Sequence, residues 1–138
     1  MPVSRASYVR FSLSPLLTAA LLCVAFARPA AALEEADFNF DTTEDLYSIC
    51  STTGTDANAA AAQVACRAFI EATVQYHDEV SDRKNLKRLI CYPQGTSVAD
   101  GRKAFVSWAE QNAKNAKRMG EMPVIGLVRA LAAAYPCK

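Results

Sequence analysis

The sequence predicts a small all-α protein, a bundle of four to five helices held by two disulfides. Three observations predict it. Apolar residues recur at helical spacing in four separate stretches, and no stretch alternates with the period of a half-buried strand. Caps and prolines punctuate those stretches where helices start and stop. Beyond an N-terminal leader four cysteines remain, an even set in a chain short enough to gain from cross-links.

The leader occupies residues 1–32. Arg5 and Arg10 precede an almost wholly apolar run, Phe11 to Phe26, and Ala30-Ala31-Ala32 supplies small residues at its end. This three-part pattern predicts a secretory signal peptide cleaved after Ala32. The run is shorter than the roughly 20 residues that span a bilayer, and Ser14-Pro15 interrupts it, so no stable membrane anchor is expected. A lipoprotein acylated at Cys23 would want a small residue before it, and Leu22 stands there. Of the 15 Lys and Arg, three leave with the leader (Arg5, Arg10, Arg28), so 12 stand against 14 acids and the formal charge becomes −2. That balance argues against a nucleic-acid partner, which favours a concentrated basic face. One domain, 42–138, is expected behind an acidic, disordered leader at 33–41 that carries Glu34, Glu35, Asp37 and Asp41.

The elements follow in order. Thr42 caps a first helix over 43–51, with Glu44 and Asp45 in its first turn and Leu46, Ile49 and Cys50 on one face. The Ser, Thr and Gly of 51–55 break it. A second helix is expected from about Asn58 to Val80, with a buried stripe of Ala65, Ala68, Phe69, Ala72, Tyr76 and Val80 and with Cys66 at its edge. Pro93 forces Tyr92 out of helical geometry, so Cys91 stands at a break. Ser97 and Asp100 form the capping box of a third helix, 98–112, whose apolar face includes Phe105 and Trp108. The link after Asn112 is polar, with Gly120 as a breaker. Pro123 opens a last helix bearing Val124, Leu127, Val128, Leu131 and Tyr135, and Pro136 stops it.

Cys50, Cys66, Cys91 and Cys137 are separated by 15, 24 and 45 residues, unlike the close pairs of a zinc site. Four cysteines allow three pairings, and spacing alone does not choose among them. The helix layout favours two. A tight loop folds Cys50 back onto Cys66, and two antiparallel helices bring Cys91 and Cys137 to one end.

Little points to catalysis. Tyr76-His77-Asp78-Glu79 is the densest polar cluster, but consecutive helical residues point about 100° apart. His77 is the one histidine, and no partner is marked out for it, so a solvated helix end is the plain reading. No nucleophile elbow, zinc-protease helix or phosphate loop is present. Arg83, Lys84, Lys87 and Arg88 form a basic run, and Lys114, Lys117 and Arg118 a looser strip. Both read as solvated surface or, more sharply, as docking patches for an acidic partner or an anionic membrane.

Four stretches together carry a resemblance: "LYSIC", "VACRAFIEATV", "ICYPQGTSVADGRKAFVSWAE" and "PVIGLVRALAAAYPC". Cys50, Cys66, Cys91, Pro93, Gly95, Pro136 and Cys137 stand in the order found in the amidase-immunity proteins of type VI secretion, the Rap/Tai type, which this chain resembles over about 46–137. The resemblance implies an exported, all-helical periplasmic protein with no cofactor and no catalysis. Such proteins bind a secreted peptidoglycan amidase and occlude its groove, often as homodimers. Two departures stand out: Asn112-Ala113 where many relatives carry His-Pro, and a longer, basic link to the last helix. The competing class is a periplasmic stress chaperone or envelope adaptor, which would expose apolar surface reversibly in acid.

Overall fold

The computed structural model describes residues 38–138. The signal peptide expected at 1–32 lies outside the described residues. Five helices follow one another: α1 (Thr43–Ser51), α2 (Ala57–Lys84), α3 (Val98–Asn112), α4 (Ala116–Met119) and α5 (Pro123–Ala134). No strand occurs among the described residues.

Local chemistry sets the starts. Thr42 accepts the Asp45 N–H at 3.2 Å, and the Asp45 carboxylate accepts the Thr42 N–H at 2.8 Å, a closed capping box. Ser97 and Asp100 repeat the device at α3. Asp56 caps α2 by accepting from Asn58 and Ala59. At the far end of α2, Asn85 adopts the left-handed conformation, φ 49°, that lets a helix stop.

Helix α2 differs from its sequence reading in two ways. It runs on to Lys84, so part of the basic segment is helical. Its buried face is Ala59, Ala62, Cys66 and Ile70, while Ala68, Ala72 and Tyr76 of the expected stripe are exposed. The true face lies one residue, about 100°, around the helix. The disulfide decides this: Cys66 must face Cys50, so the row centred on Cys66 turns inward. Of the expected stripe Ala65 and Phe69 pack against the core, the Phe69 ring 5.2 Å from that of Phe40. Phe38 and Phe40 both lie against the core, so packed chain begins ahead of the α1 cap.

The single turn α4 was not expected from a polar link. Asn115 caps it, and Met119 is buried beneath it.

Helix α1 is the hub, packed against α2, α3 and α5. Leu46, Ile49, Ile70, Ile90, Phe105 and Leu127 fill the centre. Close approach needs small residues: a Cβ at Gly126 would lie 2.3 Å from Thr43. The buried Thr43 donates its N–H (2.8 Å) and its hydroxyl (3.0 Å) to the Glu121 carbonyl, fixing the start of α1 to the start of α5. The two disulfides pair as the helix layout favoured, Cys50–Cys66 and Cys91–Cys137, with Cα atoms 5.1 and 4.9 Å apart.

Candidate functional site

Past Ile70, α2 buries only Ser81 among its residues, and the chain after Asn85 folds back along this half-covered end. Residues 85–90 form a strap. Leu86 N–H donates to the Ser81 carbonyl at 2.9 Å, and Cys91 N–H donates to the Tyr135 carbonyl at 2.9 Å. The strap is therefore anchored at one end by the α2 terminus and at the other by the staple to Cys137. Ile90 points into the core with no exposure, whereas Leu86 and Leu89 are 55% and 57% exposed.

Under the strap lies a network that the sequence reading did not foresee. His77 Nδ1 lies 3.0 Å from Asp78 Oδ1, and Leu89 N–H donates to His77 Nε2 at 3.1 Å. Tyr92 O–H donates to the other Asp78 oxygen. Arg88 binds both oxygens of Asp82, at 2.8 and 2.9 Å, and reaches Asp78 at 3.5 Å. Neighbouring helical residues do diverge, and Tyr76 is 72% exposed. His77 and Asp78 nevertheless meet, because the returning strap packs along the seam between them and bonds to both. His77 is thus not a solvated helix end; its side chain is only 9% exposed. The one sequence signal for Tyr92 was Pro93, which holds it outside any helix.

The electrostatics follow from this packing. Burial alone would raise the Asp78 carboxyl; the hydrogen bonds from Tyr92 and His77, with the Arg88 charge, outweigh it and hold it below the ordinary carboxylate value. Tyr92 is pushed up to about 12 by burial, then by its bond to Asp78 and by that carboxylate's charge.

The seven cations singled out from sequence divide into two kinds. Arg88 is spent on Asp82 and Asp78, and Arg83 pairs with Glu79. Lys84 and Lys87 are exposed and make no ion pair among the described residues. In the second strip Arg118 donates to Asn112 Oδ1 at 2.5 Å, while Lys114 and Lys117 are exposed. Along the chain the two strips stand on either side of α3, one before and one after a 15-residue helix about 22 Å long. Trp108 is half-buried against the core rather than fully within it.

Two hollows flank α3. A groove of about 560 Å³ runs between α2 and the start of α3, lined by Ala60, Val64, Arg67, Val98 and Arg102 among others. A smaller apolar one, about 130 Å³, lies among Ile70, Val74, Tyr92, Gly101, Leu131 and Tyr135. Neither is lined by His77. No cluster of metal-ligating side chains occurs among the described residues, and no described helix is long and apolar enough to cross a membrane.

Among curated proteins and solved structures none matches this chain. A family model, that of the Rap1a immunity proteins, matches residues 42–137. The match begins at the Thr42 cap and ends at Cys137, so it takes in all five helices of the described residues, both disulfides and the strap. This chain belongs to the Rap1a immunity protein family.

Proposed function

We propose that the protein is a non-catalytic immunity factor that binds a secreted peptidoglycan amidase and blocks its groove, in the periplasm, after removal of residues 1–32. The family match over 42–137 carries this reading. The build of the molecule supports it. Two disulfides hold a short helical body whose links are already ordered, and a pre-ordered surface loses little freedom on binding. Recognition is assigned to the links Ser81–Arg88 and Lys114–Met122, which present Lys84, Lys87, Lys114 and Lys117 together with the exposed Leu86 and Met122.

Co-expression tests the reading. An amidase encoded in the reading frame beside this one, sent to the periplasm, should lyse cells, and this chain should restore growth and co-purify with it. Lysis that continues unabated, with no complex recovered from the oxidised proteins, overturns the proposal.

A further inference from the structure

We infer that His77 is a proton-operated latch on the strap: the neutral ring holds residues 85–90 against α2, and the protonated ring lets them go. The inference concerns the free protein and goes beyond the toxin-binding reading.

The hydrogen bonds fix the protonation state. Leu89 N–H donates to His77 Nε2, and an imidazole nitrogen accepts only when it carries no proton. The proton therefore sits on Nδ1, 3.0 Å from Asp78 Oδ1, where it has a carboxylate to receive it. This is the tautomer that satisfies both contacts. With the ring so little exposed, water is a poor substitute for either partner.

Adding a proton affects the two contacts unequally. The Nδ1–H bond to Asp78 survives and gains charge. The Nε2 contact becomes two donors facing each other, so the Leu89 bond is lost. Damage is thus confined to the strap. The charged groups around the ring are Asp78 on α2, which its Nδ1 meets, and Arg88 of the strap, which reaches the same carboxylate oxygen and whose charge repels a protonated ring; the Tyr92 hydroxyl occupies the second Asp78 oxygen. Lifting the strap carries Arg88 away from the new cation, so relief of that repulsion works in the direction of release. The Arg88 pairs with Asp82 and Asp78 and the burial of Ile90 work against release; the Asp82 pair is largely exposed, and exposed pairs hold weakly.

The backbone is arranged to limit the movement. Asn85, left-handed, is the hinge at one end, and Cys91, bonded to Cys137 and to the Tyr135 carbonyl, is a fixed post at the other. Only Leu86 to Ile90 is free to lift, which would bring the buried Ile90 toward solvent. If these residues also meet the toxin, a consequence that rests on the proposed function, acid would blur the surface presented to it.

The chain holds a single histidine, so its ring gives one set of imidazole signals in ¹⁵N-labelled protein. Ring shifts and amide exchange are followed together through the imidazole range, from about pH 8 to about pH 5. The ring should start as the Nδ1–H tautomer. As it protonates, protection of the Leu89 amide, corrected for intrinsic exchange, should fall about tenfold or more with the same midpoint. Protection at Cys66 and Leu131 should hold. His77→Gln should abolish the pH-dependent step. An Nε2–H tautomer at high pH, a ring that stays neutral to the end of the range, or protonation without loss of Leu89 protection overturns the latch. Should the variant not fold, the wild-type titration alone decides, and no toxin is needed for either.

Discussion

Replacing Gly126 with alanine tests how closely α1 and α5 approach. In an isolated helix the change should help, since alanine is better than glycine in a helix interior by about 1 kcal/mol. Packing reverses the sign. The added Cβ would lie 2.3 Å from both Cγ2 and Oγ1 of Thr43 and 2.9 Å from its Cβ. Carbon atoms rest about 3.5 to 4 Å apart, so a gap of more than 1 Å must open. Thr43 cannot swing clear, because every χ1 rotamer leaves its methyl or its hydroxyl in one of the two crowded positions, and its Cβ stays 2.9 Å away whatever χ1 is. The hydroxyl is moreover bonded to the Glu121 carbonyl. The helices themselves must part, loosening Leu46, Ile49 and Leu127. Overpacking of this kind costs about 1–3 kcal/mol, so the net loss after the helix gain reaches about 2 kcal/mol. For a domain near 100 residues that lowers Tm by up to about 15 °C. Circular dichroism melts of the oxidised protein measure it. Thr43→Ala in the same chain should return part of the loss, a favourable coupling of about 1 kcal/mol in the double-mutant cycle. A raised Tm for Gly126→Ala, or strict additivity in the cycle, would refute the close approach.

Other outcomes follow from the same geometry. Cys91→Ala with Cys137→Ala should cost about 4 kcal/mol in urea unfolding, because the pair closes a 46-residue separation and neither residue is buried; a loss under about 1 kcal/mol would mean that the staple does not constrain the unfolded chain. Asp78 ionises more easily folded than unfolded, so its contribution is present above the unfolded carboxyl value and is lost as pH falls through the lower folded one; Asp78→Asn should flatten the acid limb of the stability curve. Tyr92 has the opposite sign. Its proton is held more tightly in the folded state, so stability should decline as pH rises from about 10, the ordinary phenol value, toward about 12, and Tyr92→Phe should remove that slope. Reversing Lys84 and Lys87 to Glu, and separately Lys114, Lys117 and Arg118, should each weaken toxin binding at low salt; a strip whose reversal leaves affinity unchanged is not part of the interface.

What was legible in the sequence was what depends on near neighbours. Thr42 with Asp45 and Ser97 with Asp100 are three residues apart, and α1 and α3 begin where those boxes require. Pro123 and Pro136 bracket the last helix for reasons internal to proline, although α5 itself closes at Ala134. The face of α2 was misread because its alanines make several rows look apolar, and a distant sulfur decides which row turns inward. The His77 network was invisible for a like reason. Tyr92, Arg88 and the Leu89 amide lie 11 to 15 residues from His77, and only the returning strap brings them there. Of the seven marked cations, pattern alone could not separate Arg88, occupied by Asp82, from the open Lys84 and Lys87.

The pairing of the cysteines has a bearing on how the chain matures. Each sulfur joins the next one along, first with second and third with fourth, so the two rings are neither nested nor interlocked. Under the export proposed above, a polypeptide threaded through a translocon from its N-terminus can seal the earlier ring before the later half has emerged. An oxidant that couples thiols in order of appearance already makes the right bonds, and no reshuffling step is demanded of an isomerase.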